Sequence, residues 1–215
     1  MENRSLSKSK YFAVFATTTL IFTIGILVGN YFSNQKLSNL GELQNDLRIE
    51  LASIETGYEL LKEHPCSNLK NVPQTEQLYD LAKKLSYMEE KLGKKDENVL
   101  QLKEYYSLLE IKHWLFLKKY KDMCYVNITD VLYFYSNLGN CPNCEKQGYV
   151  LSYLQNKYND VYIYSFDVNF DNGALNIIKN MYSIGTEMPV LIINEVAYHG
   201  FKDSDGIEKI ILEKD

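Results

Sequence analysis

The sequence has no excess of positive charge and very little histidine. Its 23 Lys and Arg are outnumbered by 28 Asp and Glu, which gives a formal net charge of -5. A nucleic-acid binder usually presents a basic face, so we expect no nucleic-acid partner. The three histidines, His64, His113 and His199, include no pair at the spacing of metal ligands. We therefore predict packing or surface roles for them and no metal site.

Residues 11–32 contain no charged residue. About 20 apolar residues in a helix span the roughly 30 Å core of a lipid bilayer, so this run predicts a transmembrane anchor. Arg4, Lys8 and Lys10 precede it. By the positive-inside rule, residues 1–10 are cytoplasmic and the rest lies outside a plasma membrane that the chain crosses once. The alternatives are a cleaved signal peptide, disfavoured by the length of the run and the poor cleavage site behind it, and a buried soluble helix.

Residues 38–125 are predicted to form an antiparallel helical hairpin. Apolar residues recur along them at helical spacing, and loops containing proline or glycine separate three helices. Thr75 is predicted to cap the second helix and Gly93 to end it. Because short connections make neighbouring helices antiparallel, the first and third helices finish at the same end of the hairpin, where Cys66 and Cys124 lie.

The chain has four cysteines, and they form stable disulfides only in an oxidising compartment, which the predicted topology supplies. We predict a structural disulfide between Cys66 and Cys124, because the hairpin allows their Cα atoms to approach within the roughly 4.4–6.8 Å that the bond needs. Two alternatives stay open for this pair. The two cysteines are free and buried, or they relay electrons to the second pair, Cys141 and Cys144.

Residues 126–215 show a different pattern from the helical part. Apolar runs predict strands at 131–136 and 161–168, and two more on either side of a turn at Asn194-Glu195. Amphipathic segments between and after these strands predict helices. The order is β-α-β-α-β-β-α. The predicted fold class is therefore α/β for this part, and α+β for the chain with its anchor and helical hairpin.

The CPNC motif, residues 141–144, follows the first of these strands and opens the first helix. Asp167 closes the next strand, and Met188-Pro189 precedes a later apolar strand. This combination resembles the thioredoxin-like superfamily. The resemblance covers residues 126–215, does not extend to the helical hairpin, and implies a thioredoxin-like fold for the C-terminal domain.

The resemblance also implies roles for the matching residues. Cys141 is implied to be the nucleophile and Cys144 the resolving thiol. Pro189 is implied to follow a cis peptide bond and, with Met188, to orient an extended substrate. The unpaired N–H groups of a helix N-terminus favour a thiolate at Cys141, and the thiolate is the attacking species. No metal or organic cofactor is implied beyond the redox-active Cys141–Cys144 disulfide.

The residues within and before the motif carry further expectations. Pro142 suits a first helical turn because it needs no N–H donor. By the resemblance, Pro142 and Asn143 help to set the reduction potential within a family range of roughly -270 to -120 mV. The chain departs from the family at two positions: Asn140 stands where a tryptophan is usual, and Tyr135 where a buried carboxylate is usual.

The sequence therefore predicts a membrane-anchored thiol:disulfide oxidoreductase or isomerase. Its expected partners are thiols and disulfides of exported proteins, a membrane or extracytoplasmic redox partner, and the lipid bilayer around residues 11–32. Three alternatives remain open. The four cysteines form a zinc site, the CPNC disulfide is a structural part of a non-catalytic binding module, or the anchor and helices form an envelope scaffold.

Overall fold

The structure, a computed structural model, describes residues 8–63, 66 and 73–212. The elements are α1 (Lys8–Glu63), α2 (Pro73–Leu92), α3 (Glu97–Cys124), β1 (Thr129–Tyr135), α4 (Cys144–Lys157), β2 (Val161–Asp167), α5 (Gly173–Met181), β3 (Val190–Ile193), β4 (Val196–His199) and α6 (Ser204–Leu212). The chain divides into two compact units, Met1–Glu50 and Leu51–Asp215. The predicted mixed α/β class and the order of elements from β1 to α6 are confirmed. The predicted domain boundaries stay predictions.

The first unit contains an apolar segment of α1, Ser9–Tyr31. It has 23 residues with a mean hydropathy of 2.1, and none of it is buried. This length and composition suffice to cross a bilayer. The structure thus contains one N-terminal apolar helix, consistent with a signal anchor or a signal sequence.

Helix α1 continues to Glu63, whereas the sequence predicted a separate helix from residue 38. The physical reason lies in residues 32–37, which contain neither proline nor glycine. Nothing in that stretch removes a backbone donor or favours a left-handed turn, so the helix continues through it.

Helices α2 and α3 in the second unit are antiparallel. Glu89 near the end of α2 pairs with Lys103 near the start of α3 at 2.9 Å, and Thr75 near the start of α2 lies 3.0 Å from His113. The predicted cap at Thr75 is wrong, because α2 begins at Pro73, a residue well suited to a first helical turn. Asp96 caps α3, because its side chain accepts hydrogen bonds from the backbone N–H groups of Asn98 and Val99.

The four strands form one mixed sheet in the order β2-β1-β3-β4. Strand β1 is parallel to β2 and antiparallel to β3, which is antiparallel to β4. Alternate residues of β1 point to opposite faces. Val131 and Tyr133 belong to a core with Leu151 and Leu154 of α4 and Ile207 of α6. This packing places α4, and therefore its first residues, against the sheet.

Helix α3 reaches the outer edge of β2, an arrangement that the sequence did not predict. Glu110 Oε1 accepts a hydrogen bond from the backbone N–H of Ser165 at 3.0 Å. His113 Nδ1 of the same helix lies 2.8 Å from the Tyr164 hydroxyl. An edge strand exposes unpaired backbone groups that can pair with another chain, and Glu110 occupies one of them.

A disulfide joins Cys66, beyond the end of α1, to Cys124, the last residue of α3. Their Cα atoms are 5.7 Å apart, and 58 positions separate them in the chain. In the chain-entropy model, closing a loop of this length stabilises the folded state by about 4 kcal/mol.

Candidate active site

The CPNC motif forms a turn at the amino end of α4. A disulfide joins Cys141 and Cys144, whose Cα atoms are 5.4 Å apart. The helix begins at Cys144, so Cys141 lies three residues before it, in a turn where the Cys144 N–H donates to the Cys141 carbonyl at 3.3 Å. Cys144 is buried, with 7% of its surface exposed, and Cys141 is half-buried. Pro142 and Asn143 are exposed at the tip of the turn.

A polar network holds the loop between β1 and the motif. Asn137 donates from Nδ2 to the buried Asp167 carboxylate at 2.9 Å, which ties the loop to the end of β2. The Ser136 hydroxyl accepts hydrogen bonds from the Leu138 N–H at 3.3 Å and from Asn169 Nδ2 at 2.9 Å. Because β1 and β2 are parallel, their carboxyl ends lie side by side here. The network therefore holds the loop that leads to Cys141 against the end of β2.

The start of α4 is fastened at two more points, which sequence reasoning missed. The Tyr133 hydroxyl donates to the Cys144 carbonyl at 2.6 Å. Gln147 is fully buried and exchanges two hydrogen bonds with the backbone of Lys202, at 3.1 and 2.8 Å. The sequence did contain a signal for the Gln147 contact. Gln147 lies on the same helical face as Leu151 and Leu154, and a polar side chain buried on an apolar face needs a hydrogen-bond partner.

Met188 and Pro189 lie beside the same end of β1. Strand β3 runs antiparallel to β1 with Val190 opposite Phe134, so the two residues before Val190 adjoin the end from which the CPNC loop departs. The Met188–Pro189 peptide bond is cis. The Pro189 carbonyl accepts a hydrogen bond from the Gly200 N–H at 2.9 Å, within the β3–β4 hairpin.

The two positions where the chain departs from the thioredoxin-like pattern have distinct surroundings. Tyr135 stacks on Tyr133, with ring centroids 5.4 Å apart. Burial, reinforced by the nearby Asp167 charge, raises the pKa of the Tyr135 hydroxyl, so this group stays protonated at neutral pH. Asn140 is exposed. Tyr135 therefore supplies no base to the motif.

Within residues 8–63, 66 and 73–212, no group of three His, Cys, Asp or Glu side chains is placed to hold a metal ion. His113 is buried, and burial lowers the pKa of its ring to about 3. Its two ring nitrogens face the Tyr164 and Thr75 hydroxyls, so it has a packing role. His199 is exposed on β4, and His64 lies outside the described residues.

The arrangement presents a disulfide between a half-buried and a buried cysteine at the start of a helix. A thiolate approaching from solvent reaches Cys141, and Cys144 then becomes the leaving group, close to the free N–H groups of the first helical turn. This geometry permits thiol–disulfide exchange. Comparisons of the chain with protein-family models, with curated proteins and with solved structures found no match.

Proposed function

We propose that the protein is a membrane-anchored thiol:disulfide oxidoreductase whose C-terminal part has a thioredoxin-like fold. The observation that carries this proposal is the Cys141–Cys144 disulfide, between one half-buried and one buried cysteine, at the amino end of α4. The mixed sheet supports it, because β1 leads into the motif and β3 brings Met188 and Pro189 to the same end.

The exchange reaction balances without a cofactor. In the oxidising direction, a substrate thiolate attacks Cys141 Sγ, the Cys141–Cys144 bond breaks, and Cys144 leaves as a thiolate that takes up a proton. A second substrate thiolate then attacks the substrate sulfur of the mixed disulfide and releases Cys141 as a thiolate. The substrate loses two electrons and gains a disulfide, and the CPNC pair gains two electrons. The reducing direction runs these steps backwards.

Substrate binding uses the surface around Cys141. The backbone at Met188 pairs with an extended substrate segment in the manner of an added strand. Leu138, in the loop before the motif, is 73% exposed and offers apolar contact to the same segment. These contacts hold a substrate sulfur in line with Cys141.

The difference in reduction potential between the Cys141–Cys144 pair and the substrate sets the direction of exchange. Tyr135, which stands where a carboxylate is usual in the family, keeps its own proton because its pKa is raised. It therefore neither takes the proton of the Cys144 thiol during reduction nor returns one during oxidation.

The proposed cellular location rests on the apolar segment of α1. We propose that Ser9–Tyr31 stays in a plasma membrane as an anchor, with the basic residues before it on the cytoplasmic side. The catalytic part then lies in an oxidising space, where its substrates are thiols and disulfides of exported proteins and a membrane or extracytoplasmic partner restores its redox state.

The decisive experiment is the reduction potential of the Cys141–Cys144 pair in the full chain, held in detergent micelles. Glutathione buffers set the potential, and alkylation with mass spectrometry reports each cysteine pair separately. A value near or above about -200 mV indicates an oxidant or isomerase, and one near or below about -270 mV a reductant or a structural disulfide. Catalysed exchange with a model protein disulfide separates the last two. A chain that catalyses no exchange in either direction would be a binding module or a scaffold, and the proposal would fail.

A further inference from the structure

A cavity of about 420 Å³ lies on the flank of α4, between that helix, the sheet and the α2–α3 pair. Tyr79 comes from α2, Tyr106 and Glu110 from α3, and Tyr133 from β1. Tyr149 of α4, which is 70% exposed, also lines it and marks the side that meets solvent. Sites for small ligands commonly have volumes of roughly 300–1,000 Å³, so the cavity is large enough for one.

The lining of the cavity has the chemistry of a site for cations. Four tyrosine rings form its walls, and two acidic residues, Glu110 and Glu145, contribute carboxyl groups. Among the described lining residues, none is Lys, Arg or His. Tyrosine faces attract cations through the ring quadrupole, most strongly where water is displaced. The two carboxyl groups thus have no positive partner within the cavity wall.

Glu110 is the least expected of these residues. It is 3% exposed, and while its Oε1 accepts the Ser165 N–H, its Oε2 has no hydrogen-bond partner among the described residues. Burial raises the pKa of the carboxyl group. An unpaired buried carboxyl group destabilises the fold unless something compensates for it. Without a cation nearby the group is therefore neutral, and a cation in the cavity would favour its ionised form.

We infer that this cavity binds an alkylammonium or guanidinium group, carried either by a free amine or guanidine or by a Lys or Arg side chain of a protein. The aliphatic part of such a group packs between the tyrosine rings, while its charge lies near Glu110 and Glu145. The inference does not rest on the proposed exchange chemistry, because no cysteine lines the cavity among the described residues.

The test uses n-butylguanidinium as the probe and n-butylurea as its uncharged analogue. The full chain in micelles is titrated with each, and the amide resonance of Ser165 is followed by NMR, since this N–H donates to Glu110. We expect a saturable shift with n-butylguanidinium and at least about tenfold weaker binding of n-butylurea, because hydrogen bonds and contacts to a charged group are the stronger ones.

Glu110→Gln keeps an acceptor for the Ser165 N–H but cannot ionise beside a cation, so we expect it to weaken binding of n-butylguanidinium at least about tenfold. Glu90→Gln, which removes an exposed acid of α2 outside the cavity, is the matched control and is expected to bind as the wild type does. Glu145→Gln alters only the exposed rim, and it too should weaken binding, which keeps the test valid if Glu110→Gln does not fold. Equal affinity for the two probes, or wild-type affinity in both cavity variants, would overturn the inference.

A blocked Gly-Arg-Gly tripeptide distinguishes the two sources of the group. If the natural occupant is a protein side chain, the tripeptide binds at least as tightly as n-butylguanidinium. If it is a free small molecule, the peptide backbone is excluded and the tripeptide binds more weakly than the free ion. Either result supports the same recognition chemistry.

Discussion

The two cysteines of the CPNC disulfide differ in their exposure to solvent. Cys141 lies half-buried in the turn, and Cys144 is buried at the start of α4, where its carbonyl accepts a hydrogen bond from Tyr133. Under the proposed function, a reaction partner forms its mixed disulfide with Cys141, and Cys144 resolves it.

Cys144→Ser is expected to accumulate mixed disulfides between Cys141 and substrate proteins, because the resolving thiol is gone. Cys141→Ser should accumulate few or none, because Cys144 is shielded. Non-reducing electrophoresis of the full chain after thiol quenching in cells measures both. Chains with Cys66→Ser and Cys124→Ser together are the control and should trap no partner. Adducts of equal abundance in the two single variants would contradict the assigned roles.

Buried His113 makes the free energy of unfolding depend on pH. Burial lowers the pKa of its ring from the ordinary 6.5 to about 3. Between these values the unfolded chain binds a proton that the folded chain does not, so the contribution of His113 is fully present above pH 6.5 and is lost as pH falls toward 3. The slope for one proton is about 1.4 kcal/mol per pH unit.

His113→Gln should remove this slope, because glutamine does not titrate. Urea unfolding of the full chain in micelles between pH 4 and pH 7 measures the free energy of unfolding, with the exposed His199→Gln as matched control. If His113→Gln and the wild type lose stability equally over this range, buried His113 is not the source of the dependence.

Helices α3 and α4 each use a buried polar residue to bind the backbone of another element. Glu110 of α3 binds the backbone of β2, and Gln147 of α4 binds the backbone that leads into α6. Each interaction satisfies backbone groups outside regular hydrogen-bonded ladders, and each fixes a helix next to the candidate site. The apolar face of a helix supplies much of the stabilisation, whereas these polar contacts specify where the helix sits.

Gln147→Ala is expected to lower the free energy of unfolding by about 2–3 kcal/mol, because two hydrogen bonds are lost and the part-buried Lys202 backbone groups lose their partner. Gln77→Ala, on the exposed face of α2, is the matched control and should stay close to the wild type. Urea unfolding followed by near-ultraviolet circular dichroism measures both. If Gln147→Ala lowers the free energy of unfolding no more than Gln77→Ala does, these hydrogen bonds do not hold α4.

At the scale of the whole molecule, the second unit joins the helical hairpin to the sheet. Residues from Leu51 onward form one compact unit, in which Glu110 of α3 binds the backbone of β2 and the Cys66–Cys124 disulfide closes the helical part. The hairpin therefore has two structural effects. It occupies one backbone N–H of an edge strand, and it completes the cavity beside α4.

Replacing Cys66 and Cys124 by serine together should destabilise the second unit by about 4 kcal/mol, since the unfolded chain regains the freedom of a long loop. Chemical unfolding of the full chain in micelles, with the CPNC pair kept oxidised, measures the change. Exchange activity at low denaturant should persist, because the disulfide lies in the helical part. Loss of activity in a variant that remains folded would instead indicate an electron relay between the two pairs.

Local patterns in the sequence determined the apolar N-terminal helix, the helices of the hairpin and the order of elements from β1 to α6. Periodicity and turn residues are properties of short stretches, so one sequence is enough to predict them. The CPNC motif was visible for the same reason, as was its position after β1. The break predicted before residue 38 was wrong because residues 32–37 contain neither proline nor glycine, and the start predicted for α2 was wrong because Pro73 suits a first helical turn.

Only the tertiary structure decided which distant residues meet. Glu110 with Ser165 and Gln147 with Lys202 are each 55 positions apart, and neither pair follows from a local period. The same holds for the loop network at Asp167, 30 positions from Asn137, and for the cavity on the flank of α4. Such contacts depend on how the helices and strands pack. A polar residue in an apolar stripe indicates that a hydrogen-bond partner exists, but only the packing determines which residue that partner is.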